Sequence, residues 1–110
     1  MSEKTTTRRD KLIAAARLVQ QGWTQRALAR GSDGKNVKPT SPDAVAWSAM
    51  GALIACSPDD HGATLMMPLG RALGTNGRWQ TIELWNNNPA RTGDEVAGAL
   101  ERASALAGET

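Results

Sequence analysis

Residues 41–56 read S-P-D-A-V-A-W-S-A-M-G-A-L-I-A-C, and the fold prediction starts from this stretch. Ser41 is a typical N-cap residue, Pro42 fits the first position of a helix, and the acid that follows suits the first turn. The next residues are apolar nearly all round, as in a helix that is buried on every side. The stretch therefore predicts a central buried helix over residues 44–56. Gly51 within it indicates that a neighbouring helix or a tryptophan ring approaches closely.

The composition favours helices in the rest of the chain as well. The 110 residues include 18 alanines and 10 leucines, but only seven valines and isoleucines and no phenylalanine or tyrosine. Ala and Leu are strong helix formers, whereas the scarce residue types are typical of strands. We therefore predict an all-α domain, a compact bundle of about five helices. The four other helices are expected over residues 7–21, 63–73, 79–85 and 92–108.

Capping signals and tryptophans define the ends and the interior of this bundle. Thr7 and Thr92 are each followed by an acid three positions later, which predicts a capping box at the start of the first and last helices. Tryptophan can bury about 150–250 Å², so the few large rings are expected to fill an alanine-rich core. The predicted core consists of Trp23, Trp47 and Trp85 around the second helix, with Leu12, Val19, Met50, Leu53, Ile54, Leu84, Val96 and Leu100.

Residues 23–40 are the ambiguous segment. The letters T-Q-x-x-L-A are similar to the first helix of a helix-turn-helix reader, but the continuation from Gly31 to Pro39 offers no second, recognition helix. A small hairpin is the alternative, with residues 23–30 against residues 35–38 and S-D-G as its turn. We expect either this minimal hairpin or an irregular loop.

Chain length and composition predict one soluble domain. A chain of 110 residues supplies one hydrophobic core, so residues 1–6 are expected to be a flexible leader and residues 7–110 a single helical domain. The longest apolar run, residues 50–56, is far shorter than the roughly 20 residues of a membrane span, so no membrane is expected. The one cysteine and the lack of an export signal predict a cytoplasmic protein.

The charge is concentrated at one end of the chain. Residues 1–30 hold seven basic and two acidic residues, while the whole chain has a net charge of only +2. A basic segment is typical either of a solvated helix face or of a surface for nucleic acid or an acidic partner. The candidate contacts are Arg8, Arg9, Lys11, Arg17, Arg26 and Arg30, although those on the first helix point in different directions.

No catalytic, cofactor or metal site is predicted. Cys56 and His61 are close in sequence, but one cysteine and one histidine are too few for a typical zinc site. Cys56 ends an apolar helix, so an inert buried thiol is expected rather than a nucleophile. Phosphate-binding, dinucleotide-binding, zinc-protease and serine-hydrolase motifs are all lacking, so we expect no enzyme.

The segment W-N-N, residues 85–87, with Arg91 after it, has two interpretations. Asparagine side chains hydrogen-bond locally and hold turns, which favours a structural corner between two helices. Alternatively, Trp85, Asn86, Asn87 and Arg91 present an aromatic ring, two amides and a cation together, as a recognition corner for a partner.

Four motifs together resemble a small uncharacterised family, a domain of unknown function found in bacteria and phages. They are G-W-T-Q-x-A-L-A-R at 22–30, D-A-V-x-W-x-x-x-G-A-L at 43–53, W-N-N at 85–87 and R-T-x-x-E-V at 91–96. Where members of the family often have W-N-D, this chain has Asn87. The resemblance implies a compact helical domain and brings no activity or site residues.

These observations predict a small non-enzymatic binding or regulatory protein. We expect an accessory protein of a phage or mobile element that acts by occluding a protein partner, with no cofactor. The alternative is a nucleic-acid-binding protein, similar to a transcription regulator, that uses the basic N-terminal third.

Overall fold

A computed structural model describes residues 7–107 of the protein. Five helices and one small two-stranded antiparallel sheet make up this part of the chain, so the predicted helical domain is confirmed, although it is not purely all-α. The predicted leader and Gly108 lie outside the described residues. In chain order the elements are α1 (Arg8–Gln21), β1 (Ala29–Gly31), β2 (Ala44–Trp47), α2 (Ala49–Cys56), a 3-10 helix (Pro58–Asp60), α3 (Ala63–Leu73), α4 (Trp79–Asn86) and α5 (Gly93–Leu106).

Both predicted capping boxes are present, at the ends of the two helices that share the largest interface, α1 and α5. The Thr7 hydroxyl accepts a hydrogen bond from the Asp10 backbone N–H at 3.1 Å, and the Asp10 carboxylate accepts from Thr7 N–H. At α5 the Thr92 hydroxyl accepts from Glu95 N–H at 3.2 Å, and Glu95 accepts in return at 2.9 Å. The caps therefore fix where the two main helices begin.

The predicted helix over residues 44–56 is wrong in its first part. Residues 44–47 form β2, and α2 begins at Ala49 after the N-cap Ser48, whose hydroxyl accepts from Gly51 N–H at 3.0 Å. Strand pairing decides this, because β2 has hydrogen-bonding partners on both sides. It pairs with β1, and Trp47 N–H donates to the carbonyl of Gly22 at 3.0 Å on the other side.

The minimal hairpin predicted in residues 23–40 is present but shorter than expected. On the edge of β1 that faces away from β2, Gly31 N–H donates to Lys35 O at 2.9 Å and Val37 N–H donates to Ala29 O at 3.1 Å. Gly34 takes the positive φ of 82° in the turn between them. Residues 24–28 belong to no strand, since they run across the end of α4 instead.

The structure agrees with most of the predicted core residues and corrects one of them. Trp47 and the predicted aliphatic residues other than Leu84 are buried, and Trp23 and Trp85 are partly buried and pack against the same core. The prediction that Leu84 belongs to the core is wrong, because this residue is 75% exposed. On α4, Ile82 and Asn86 face the core. Leu84 is two positions from each of them, so it lies about 160° around the helix from both. No helix within residues 7–107 is long and apolar enough to cross a membrane.

Candidate functional site

The side chain of Asn86, at the end of α4, is fully buried and completely hydrogen-bonded. Its Oδ1 accepts from Trp23 Nε1 at 2.8 Å and from the Ala49 backbone N–H at 3.0 Å. Its Nδ2 donates to Thr24 O at 3.2 Å and to Asn87 Oδ1 at 3.1 Å. An asparagine amide can make four such bonds, and all four are made. Asn86 thereby ties α4 both to the start of α2 and to the segment that follows α1.

The neighbouring asparagines hold the segment after α1 in place. We call residues 85–88 together with Arg91 the asparagine corner. Gln25 Nε2 donates to the carbonyls of Asn86 and Asn88 at 2.9 and 2.8 Å. Arg26 N–H donates to Asn87 Oδ1 at 2.8 Å, and Arg26 has the left-handed φ of 64° that a non-glycine residue adopts only at a cost. The Asn87 oxygen acts only as an acceptor here, which an aspartate could also do.

Arg91 closes the corner from the side of α5. Its guanidinium lies 4.1 Å from the centre of the Trp85 ring, within the range of a cation–π contact. Its Nε donates to the Trp85 carbonyl at 3.0 Å, and one terminal nitrogen lies 3.6 Å from the Glu95 carboxylate. The predicted recognition corner is therefore assembled as a unit, with Asn86, Asn87 and Arg91 all engaged in contacts within the protein.

The predicted basic contacts do not form one surface. The Arg30 guanidinium is used internally, with bonds of 2.8 Å to Thr24 Oγ1, 3.0 Å to Asn36 Oδ1, 3.0 Å to Gly34 O and 3.2 Å to Gln25 O. Arg9, Arg17 and Arg26 are exposed, whereas Arg8 and Lys11 are half-buried. The residues on α1 are separated by about 100° per position, so they spread around the helix. Of these six residues, Arg26 hydrogen-bonds directly to the asparagine corner, through its backbone N–H.

The surroundings of Cys56 and His61 favour structural roles. Burial raises the pKa of the Cys56 thiol to about 11, so the thiol is protonated at neutral pH and is a poor nucleophile. The Asp60 carboxylate accepts from the Ser57 hydroxyl, and bonds from the backbone of Thr64 and Gly62 also lower its pKa. Within residues 7–107 no three His, Cys, Asp or Glu side chains are grouped to hold a metal ion.

A groove of about 420 Å³, which we call the Trp79 groove, lies between the segment after the hairpin and the α2–α4 side of the domain. It adjoins a shallower depression with which it shares three residues, Leu28, Lys38 and Pro39. Sequence reasoning missed this site because its walls come from four separate stretches. The lining residues are Leu28, Lys38, Pro39, Thr40, Ile54, Pro58, His61 and Trp79.

The indole of Trp79 differs from those of two other tryptophans. Trp23 Nε1 donates to Asn86 at 2.8 Å, and Trp47 Nε1 donates to Pro39 O at 3.0 Å. The Trp79 ring is partly buried, and its N–H, like that of Trp85, has no acceptor among residues 7–107. A partly buried ring with an unused donor is typical of tryptophans in interfaces.

Residues 3–106 match a protein family described as a family of unknown function, DUF6197. The match includes every element of the fold and both the asparagine corner and the Trp79 groove. No curated protein and no solved structure matches the chain significantly.

Proposed function

Since the chain belongs to DUF6197, a family of unknown function, we propose its function from its own residues: it is a non-enzymatic binding protein that holds a segment of a protein partner in the Trp79 groove. Binding there places the whole domain over its partner and so occludes that surface. The resemblance to bacterial and phage proteins favours an accessory role for a phage or mobile element. A cytoplasmic setting suits the single cysteine.

The observation that carries this proposal is the shape and chemistry of the groove. Its volume of about 420 Å³ falls within the roughly 300–1,000 Å³ typical of ligand sites. Leu28, Ile54 and Trp79 supply apolar walls, and the exposed residues Lys38 and Thr40 add polar groups. A small number of polar groups on a mainly apolar concave surface orients a bound side chain.

The asparagine corner is better suited to support than to recognition. The amide of Asn86 has no remaining donor or acceptor, and Arg91 is held by Trp85 and Glu95. Groups that are already paired must break internal bonds before they bind a partner, which weakens binding. The N–H of Trp85 is also unused, but Arg91 lies over the ring of Trp85, whereas the ring of Trp79 lines an open, mainly apolar groove. This favours the groove.

Two features support a non-enzymatic role. The thiol of Cys56 is protonated at neutral pH because burial raises its pKa to about 11. The Asp60 carboxylate, near His61, is occupied by hydrogen bonds within its own loop. A nucleophile and a base in mutual contact, the usual requirement for covalent catalysis, are therefore not evident in this part of the described chain.

Selection of peptides from a random display library tests this proposal. We expect enriched peptides to bind the protein and the Leu84→Ala variant equally, because Leu84 is exposed on the same helix but outside the groove. The Trp79→Ala variant should bind them at least about tenfold more weakly, as for a central interface tryptophan. Thr40→Phe, which adds a large uncharged side chain to the lining without changing the core, should do the same.

The result that contradicts the proposal is equally specific. Peptides that bind all four proteins alike would place the binding surface elsewhere, and a lack of any enrichment would count against a peptide-binding function. Because Thr40 is exposed, its variant keeps the test valid if Trp79→Ala unfolds.

Nucleic-acid binding is the second candidate function. The observation in its favour is the exposure of Arg9, Arg17 and Arg26, each of which could contact a phosphate. Two observations count against it and so favour the groove. Arg30 is hydrogen-bonded within the protein, and the basic residues on α1 are spread around the helix. A titration with duplex DNA, described below, separates the two.

A further inference from the structure

We infer that the segment held in the Trp79 groove is acidic: a peptide in which Asp or Glu flanks an aromatic or large aliphatic side chain. This inference rests on the proposed function and specifies the partner of the same site. The large side chain would enter the apolar groove, and the carboxylates would lie at its mouth beside Lys38.

The charges on the lining residues carry this inference. Lys38 is exposed and makes no ion pair with any described residue. Of the described residues that line the groove or the adjoining depression, none is an aspartate or glutamate. Complementary charge across an interface selects the partner and suppresses partners of like charge. A basic segment is therefore disfavoured.

The acids nearest in sequence, Asp59 and Asp60, do not line the groove. Asp60 follows the lining residue Pro58 by two positions, but its carboxylate accepts from Ser57, Gly62 and Thr64 and so faces its own loop. Asp59 is exposed and does not line the groove. Among the described residues that line the groove, Lys38 is therefore the charged side chain that a bound segment contacts directly.

The first turn of α4 also contributes positive electrostatic potential to the groove. Trp79 is the first residue of α4, so the partly positive N-terminus of this helix lies at the edge of the groove. Arg78, at the N-cap, makes no side-chain capping bond and adds a full charge. These groups increase the preference for an acidic segment that Lys38 establishes.

Two synthetic peptides that differ only in charge test the inference. The probes are acetyl-Gly-Asp-Phe-Asp-Leu-Gly-amide and its neutral counterpart, in which both Asp residues are Asn. We would record two-dimensional ¹H–¹⁵N spectra and follow the Trp79 indole signal, assigned with Trp79→Phe. We expect the acidic peptide to shift this signal saturably and to bind about fivefold more tightly than the neutral one at low salt.

Substitutions of lysine assign the effect to the groove. Lys38→Gln should remove most of the preference for the acidic peptide and reduce its salt dependence, leaving only the smaller contribution of Arg78 and the N-terminus of α4. Lys35→Gln is the matched control, because Lys35 is also exposed in the hairpin but does not line the groove. It should leave the preference unchanged. Both side chains are exposed, so neither substitution should unfold the protein.

The outcomes separate the inference from the proposed function. Equal affinity for both peptides, with the Trp79 signal shifted by each, would overturn the acidic preference and leave binding in the groove intact. A failure of both peptides to shift the signal would also overturn the inference, while the display selection decides independently whether the groove binds peptides.

Discussion

At the scale of residues, Asn86 joins three parts of the chain that are far apart in sequence. Two donors that point at its Oδ1, Trp23 Nε1 and Ala49 N–H, have no other partner among the described residues. A buried donor that loses its acceptor costs about 1–3 kcal/mol. The consequence of removing this side chain is therefore larger than that of removing an ordinary surface asparagine.

We expect Asn86→Ala to lower the free energy of unfolding by about 3 kcal/mol, since it leaves both donors unpaired in the interior. Urea unfolding followed by tryptophan fluorescence measures this loss. Asn88→Ala is the control, because Asn88 is exposed and its side chain accepts only from Ala90 N–H, so its cost should stay below about 1 kcal/mol. Equal stabilities of the two variants would contradict the role given to Asn86.

The partly buried carboxyl of Glu83 leads to a second prediction at this scale, which concerns how the stability of the folded protein depends on pH. Burial raises the pKa of its carboxyl, a hydrogen bond with Ser48 lowers it by less, and one carboxyl oxygen has no hydrogen-bond partner within residues 7–107. A raised pKa means that the folded state binds the proton more strongly than the unfolded state. The stability gained from this is complete below about pH 4, the ordinary range of Glu, and is lost as the pH rises through the raised value.

We therefore expect Glu83→Gln to be more stabilising, or less destabilising, at pH 7 than at pH 4, because glutamine carries no charge to bury. Thermal melts of the variant and the wild-type protein across this range measure the difference. A difference in stability that stays constant with pH would show that Glu83 ionises freely in the folded protein.

At the scale of elements, the start of α2 depends on how closely β1 and the residue before it approach this helix. A Cβ at Gly51 would collide with the backbone carbonyl of Leu28, which a side-chain movement cannot relieve. The sequence indicated a close neighbour at Gly51 but suggested a helix or a tryptophan ring. The neighbour is the backbone of residue 28, beside β1.

We expect glycine-to-alanine substitutions in two helices to have opposite signs. Gly51→Ala should destabilise the protein by about 2 kcal/mol or more, because α2 must move away from Leu28. Gly98→Ala in α5 should stabilise it by about 0.5–1 kcal/mol, since its Cβ meets only Arg102 at 3.7 Å and alanine is the better helix former. Chemical unfolding of both variants checks the signs, and stabilisation by Gly51→Ala would disprove the close packing.

The strand β2 shows why residues 44–47 escape the helix that their composition suggests. A Cβ at Gly22 would collide with the Val45 carbonyl, so the glycine allows the chain after α1 to lie directly against β2. Thr24 N–H donates to Trp47 O at 3.2 Å, and Trp47 N–H donates to Gly22 O at 3.0 Å. These contacts come from a segment about twenty residues away, which no local pattern of apolar residues reveals.

At the scale of the whole molecule, the six predicted basic contacts, all within residues 7–107, do not share one face. We expect no binding of duplex DNA at about 50 mM salt in a fluorescence anisotropy titration. If about four basic side chains did contact phosphates, the logarithm of the binding constant would fall against the logarithm of salt concentration with a slope near −3.6.

The variant Arg9→Ala with Arg17→Ala is the comparison for this titration. Both side chains are exposed, so the fold should be retained. Saturable micromolar binding that this variant weakens would favour the nucleic-acid function over the proposed groove. Binding that the variant leaves unchanged would exclude these two residues as contacts.

The sequence by itself determined the helical class, the two capping boxes and most of the buried aliphatic residues. These features depend on contacts within one or two turns, so residues such as Thr7 with Asp10, or Leu12 with Val19, carry their own signal. The exposure of Leu84 shows the limit, because a short helix with apolar residues on several sides does not reveal which side faces the core.

Only the tertiary structure decided the strand at residues 44–47, the hydrogen bonds of Asn86 and the Trp79 groove. Each depends on residues that are distant in sequence: Gly22 beside Val45, Trp23 beside Asn86, and Lys38 near Trp79 at one groove. A backbone group or an amide takes whichever partner the packing of the whole chain supplies. Such choices become visible only when the helices are in contact.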